Sequence, residues 1–148
     1  MTTAIGSAVT VKVIQRIAGV SGLNAAQIRS QNVAAELAEK GETVQYPSVN
    51  VYCEKVVNNL WEKFRTFSGS VQMAVEIRHS QDRLEGLQDA LEQYADAAAQ
   101  ALVASRGDWG DGMYYTGAYQ AAFAPVKHGG RNYIQAAKIT FEIGVSKS

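Results

Sequence analysis

The chain has 148 residues, 47% of them apolar and 19% charged, which suits one domain with one core, able to withdraw about 68–70% of its unfolded surface from water. Fourteen Lys and Arg balance fourteen Asp and Glu, so no excess positive field exists to hold a phosphate backbone or an anionic membrane, and nucleic-acid binding is disfavoured. Cys53 is the only cysteine, which excludes an internal disulfide and a metal cluster built from cysteines alone, and fits a reducing cytosol.

Met1 to Ile5 carries no basic run ahead of an apolar stretch, and no segment approaches the roughly 20 apolar residues that span a bilayer. Neither secretion nor membrane insertion is expected. Ile5, Val9, Val13, Ile17 and Val20 recur at steps of four and three and predict a helix, against the β-branched stiffness of Val9, Thr10, Val11, Val13 and Ile14. Gly19 and Gly22 end it, and Asn24 with Gln27 reads as a cap for a second helix over Ala25 to Lys40, stopped by Gly41. The N-terminal region 1–41 is therefore expected to be helical, a hairpin of two helices.

Val49, Val51 and Cys53 alternate with Asn50, Tyr52 and Glu54 after Pro47, the pattern of a half-buried strand. Leu60 to Phe67 reads as the next strand, joined by a turn at Ser68-Gly69-Ser70 to an alternating run from Val71 to Ile77. Leu84, Leu87, Leu91, Tyr94, Ala98 and Leu102 share one helical face between Gln81 and Ser105, with Ser80 as cap and Gly107 as stop; such a helix is about 37 Å long. Met113 to Pro125 and Asn132 to Ser146 flank His128-Gly129-Gly130-Arg131 and read as a long hairpin. Tyr133, Ala137, Ile139, Phe141, Ile143 and Val145 lie on one side of its last strand. The fold class is α+β, a mainly antiparallel sheet with one long helix on a face, the body spanning 46–148.

Reactive constellations are sparse. His79 and His128 are the two histidines and no spacing links them; His-x-x-x-His, Cys-x-x-Cys and Gly-x-Ser-x-Gly are missing, so no catalytic, cofactor-binding or metal-binding residue is assigned. Glu85, Asp89, Glu92 and Asp96 fit a solvated helix face, and the aspartates of Arg106-Gly107-Asp108-Trp109-Gly110-Asp111-Gly112 lack the alternate spacing and distant Glu of a calcium loop. That segment and the aromatics after it offer an interface instead: Arg106, Asp108, Trp109, Asp111, Tyr114 and Tyr115, with Tyr119 nearby, are residue types favoured at protein contacts. For Trp109 a place in the domain's own core is an equal reading, and Trp61 and Phe64 share the ambiguity.

The order of these segments carries a resemblance. Tyr46-Pro47-Ser48-Val49-Asn50-Val51-Tyr52, the strand ending Val75-Glu76-Ile77-Arg78-His79-Ser80, the long helix, the Arg/Gly/Asp/Trp loop and the closing Ala137-Lys138-Ile139-Thr140-Phe141-Glu142-Ile143 resemble the tail-terminator, or tail-completion, proteins of long-tailed bacteriophages. The resemblance implies a non-enzymatic structural subunit of the virion neck, assembled in the host cytoplasm without a cofactor. It also implies a homohexameric ring that stops growth of the tail tube and joins it to the head connector or head-completion protein, with DNA only passing through the lumen. A head-closure or tube subunit is the neighbouring alternative, and a small-ligand-binding domain or enzyme the remote one.

Overall fold

A computed structural model describes residues 4–19, 28–30, 46–129 and 131–148. They form an α+β body: a mixed sheet with two helices on one face.

Helix α1 (Ile5–Ile17) turns Val9, Val13 and Ile17 fully inward, along the predicted face. Tertiary burial overrides the β-branched propensity, as packing of an apolar stripe commonly does. The helix lies against strand β2 (Ser48–Asn58), where Gly6 lets the backbone approach: a Cβ there would meet the Cys53 sulfur at 3.0 Å. The expected second helix over 25–40 is corrected at its described part, because β1 (Ile28–Arg29) is extended and pairs in parallel with Val49 and Asn50. Its cap at Asn24 and its stop at Gly41 lie outside the described residues.

The sheet is built on two long strands, β3 (Phe67–Gln81) and β8 (Asn132–Lys147), paired antiparallel from Phe67↔Lys147 to Gln81↔Tyr133. On the helix side this register aligns Val71 with Ile143, Met73 with Phe141 and Val75 with Ile139, all buried. The other side carries Gln72, Glu76 and Arg78 beside Glu142, Lys138 and Ala136, and Tyr52 and Glu54 from β2. There the Tyr52 hydroxyl donates to Glu76 at 3.0 Å, Glu76 pairs with the buried Arg78, and Lys138 pairs with Glu54. Burial, and then Glu76, raises the Tyr52 pKa above its ordinary value.

Ser68-Gly69-Ser70 is not the predicted turn but part of β3, so the β2–β3 hairpin turns at 59–66 instead. Gly69 is needed for close packing, since a Cβ there would fall 1.9 Å from the Val57 carbonyl oxygen. The second helix, α2 (Leu87–Ala104), is shorter than expected: β3 runs on to Gln81, and Gly86, at φ 76°, opens the helix in place of Ser80. Leu84 is left exposed as a result. Leu87, Leu91, Ala95, Ala98, Ala99 and Leu102 form the buried stripe of α2 on β3 and β8.

The outer edge of β8 takes three short strands in succession: β5 (Met113–Tyr115), β6 (Gln120–Phe123) and β7 (Lys127–Gly129). β4 (Gly107–Gly110) then pairs with β5. The expected long hairpin exists, but its first arm is broken at 116–119 and 124–126, and its turn narrows to residues 130–131, of which Gly130 lies outside the described residues. Among the described residues no helix is long and apolar enough to cross a membrane.

Candidate functional site

The loop around Trp109 belongs to the core. Trp109 is 5% exposed and stacks at a tilt on Tyr115, 5.6 Å between centroids, which in turn meets Phe141 at 5.5 Å. The indole N–H donates to the Ser105 carbonyl at 2.6 Å, the Arg16 guanidinium sits 4.2 Å above the ring, and Lys12 donates to the Trp109 carbonyl at 3.2 Å. Helix α1 therefore clamps this loop from above, and Lys12 adds an ion pair to Asp111 at 3.2 Å. Tyr115 is fully buried and donates to the Ala118 carbonyl, and its burial raises its pKa.

Two of the six interface residues expected from sequence are enclosed within the protomer: alternation along β4 and β5 turns Trp109 onto Tyr115 and Tyr115 onto Phe141, which corrects the expectation for Tyr115 and selects the core reading for Trp109. The other four are exposed, but they are spread over local tasks. Arg106 donates to the Val103 carbonyl, Asp108 accepts from the Gly110 N–H, Asp111 pairs with Lys12, and Tyr114 is 55% exposed on the opposite side of β5 from Tyr115.

The largest apolar groups that reach solvent lie elsewhere, on the tip of the β2–β3 hairpin. Phe64 is 99% exposed, Trp61 67% and Leu60 58%. The tip is nonetheless a built loop. Asn58 Oδ1 accepts from both Leu60 N–H (3.2 Å) and Ser68 N–H (3.0 Å), while its amide donates to the Thr66 carbonyl (3.1 Å). Buried Ser68 accepts from Glu62 N–H, and Glu62 in turn accepts from Ser146 Oγ and Arg65 Nε at 3.1 and 3.2 Å. Leu60 and Phe64 both adopt positive φ, 50° and 63°, uncommon for bulky residues and costing about 1–2 kcal/mol each. A strained, braced loop that holds aromatic rings in water has the features of a preorganised contact site.

Sequence reasoning assigned this segment to a strand. The signal that finds it is the pair Asn58-Asn59, a turn marker, followed by aromatics at 61, 64 and 67, a spacing of three that no alternating strand presents on one face.

Besides a groove of about 400 Å³ at Tyr119 and Gln120 with a largely polar lining that includes Gln72, Thr140 and Glu142, two apolar grooves flank β6, an uncharged strand of Gln120, Ala121, Ala122 and Phe123 that pairs only with β8 among the described residues. One, about 380 Å³, runs between β6–β7 and the far side of the sheet, and its charged lining is Glu76, Arg78, Lys127 and Lys138. The other, about 330 Å³, lies between β6 and α2, with Ala95 and Ala99 beneath, Tyr119 and Phe123 at the side and Glu92 and Asp96 at the lip.

The histidines are apart in role. His79 rests edge-on against Tyr94, 5.2 Å between centroids, and burial lowers its pKa; His128 meets Tyr133 in the β7–β8 hairpin. Among the described residues no three His, Cys, Asp or Glu side chains gather as metal ligands. Cys53 is half-buried under α1, and burial raises its pKa, which keeps the thiol protonated and poorly nucleophilic. No protein-family model matches the chain, and no curated protein matches it.

Proposed function

We propose that this protein is a structural subunit that works by assembling with copies of itself, and that the assembly is a phage tail terminator. In that role a ring, six-membered in the family it resembles, caps the tail tube, stops its polymerisation and presents its other face to the head connector. The single observation that carries the assembly reading is the hairpin tip. A monomer gains nothing by holding Leu60, Trp61 and Phe64 in water on strained backbone, whereas aromatic anchors of this kind dominate the energetics of protein contacts. The neutral charge balance supports the same reading, since copies packed in a ring repel one another little and the lumen does not grip passing DNA. The specific assignment to a tail terminator rests on the order of the sequence segments.

Mixing the purified protein with tail tubes and viewing them by electron microscopy tests the assignment. Tubes that carry a terminal ring and no longer elongate are expected. Tubes that grow unchanged in its presence refute the terminator role, whatever the protein's oligomeric state.

A further inference from the structure

The hairpin tip needs a receptor, and the protomer offers one of complementary shape and charge. We propose that Trp61 and Phe64 of one copy dock into the α2–β6 groove of the next. This deepens the assembly reading above but does not depend on the tail tube.

Charge selects between the two apolar grooves beside β6. The tip carries Lys63 and Arg65 on either side of Phe64; Arg65 pairs with Glu62 inside the tip, whereas Lys63 makes no ion pair among the described residues and is left as the tip's net positive charge. The 380 Å³ groove is edged by Glu76, Arg78, Lys127 and Lys138; Arg78 pairs with Glu76 and Lys138 with Glu54, which leaves Lys127 to oppose a basic tip. The smaller one has Glu92 and Asp96 at its lip, neither in an ion pair among the described residues, above an apolar floor of Ala95 and Ala99. A basic aromatic tip therefore finds an apolar seat with an acidic rim, the complementarity that sets register and partner choice at protein interfaces. Phe123 and Tyr119, 37% and 38% exposed at the wall of that groove, supply the facing aromatic surface.

The contact has to be made between copies. The tip leaves the sheet where Phe67 pairs with Lys147, while β6 begins opposite Thr140. Those seven residues of β8 span about 23 Å at about 3.3 Å per residue, too far for a braced eight-residue loop to fold back. The tip and the groove are different patches, so the contact is heterologous, and successive copies form a ring if the rotation closes and a filament if it does not.

Two variants, each altered only at exposed positions, test this by sedimentation: Trp61→Ser with Phe64→Ser for the tip, and Glu92→Lys with Asp96→Lys for the groove. Circular dichroism verifies that both retain the wild-type fold. The wild type is expected to form a discrete oligomer, and each variant to dissociate at a concentration about thirtyfold higher, the effect of removing one interface hot spot. Mixing the two variants leaves one intact tip and one intact groove per pair, so heterodimers and nothing larger are expected. A wild-type oligomer that both variants preserve overturns the docking proposal and leaves ring assembly standing through another surface. A wild type that remains monomeric at millimolar concentration overturns the docking proposal as well, while the terminator role is decided separately by the tube experiment.

Discussion

Replacing Trp109 with alanine separates a core tryptophan from a contact tryptophan. The ring is 5% exposed and touches Tyr115, Arg16 and, through its N–H, the Ser105 carbonyl. Truncation of a buried Trp to Ala costs about 3–5 kcal/mol, which already includes the cavity left behind. The lost cation–π contact and hydrogen bond are each worth about 1 kcal/mol, overlap with that figure and place the total in its upper half. With a urea m-value of about 2 kcal/mol/M, the unfolding midpoint should fall by about 2 M. Trp61, 67% exposed, is the internal control: Trp61→Ala should stay within about 0.5 kcal/mol of the wild type, about 0.25 M in midpoint. Because the chain has just these two tryptophans, each variant leaves one fluorophore. At concentrations low enough to keep protomers apart, the Trp61→Ala protein should emit to the blue and resist iodide, and the Trp109→Ala protein should emit to the red and be quenched. A Trp109→Ala midpoint within 0.25 M of the wild type would refute the placement of this ring in the core.

Three further effects are expected. Gly112→Ala should cost about 3 kcal/mol in thermal unfolding, because its Cβ would lie 2.0 Å from the Ser146 carbonyl oxygen at φ 78°, whereas Gly110→Ala, at φ 81° with open space around it, should cost about 1 kcal/mol; equal losses would show that packing at Gly112 is not limiting. His79 holds its proton less tightly folded than unfolded, so its contribution to stability is lost as pH falls through the unfolded value near 6.5, and His79→Phe should flatten the urea midpoint between pH 7 and 5; an unchanged slope would place the titration elsewhere. Glu76→Gln leaves an acceptor for Tyr52 but removes a carboxylate from the buried Arg78, and a loss of about 2 kcal/mol by chemical denaturation is expected, with a neutral outcome showing the ion pair to be dispensable.

The parts of the fold legible in the sequence are those in which one periodicity runs unbroken. The alternation of Ile139, Phe141, Ile143 and Val145 marks β8 because all four meet the helices, and Val9, Val13 and Ile17 mark α1 because they fill one stripe. Element ends are illegible for definite reasons. Leu84 fits the α2 stripe by spacing, yet β3 keeps pairing with β8 as far as Gln81 and Gly86 is left to open the helix, so long-range strand pairing sets a boundary that local pattern cannot. The strand expected over Leu60 to Phe67 fails up to Thr66 because Leu60, Trp61 and Phe64 reach no core among the described residues, while Phe67 is buried and begins β3. The same pattern reading left Trp109 open between interface and core and grouped Tyr115 with it: an isolated aromatic in a glycine-rich loop gives no sign of the Arg16 and Lys12 side chains that close over it from 93 or more positions away in the chain.

Of the two loops rich in aromatics, for which sequence left core and interface open, one buries its tryptophan and the other exposes its rings, and the physical contrast between them explains why. Around Trp109 every polar and apolar group is spent inward: the indole N–H, the ring faces and the backbone carbonyl all have partners within the protomer. Around Phe64 the polar groups are spent inward and the apolar ones are not, since Asn58, Ser68 and Glu62 fix the backbone while Leu60, Trp61 and Phe64 project from it. Asn or Gly at positions 60 and 64 would make the same turn at lower strain and without exposing apolar surface to water. The side chains present there stay exposed among the described residues, and that exposure on strained backbone is what the proposed docking onto a second copy would account for.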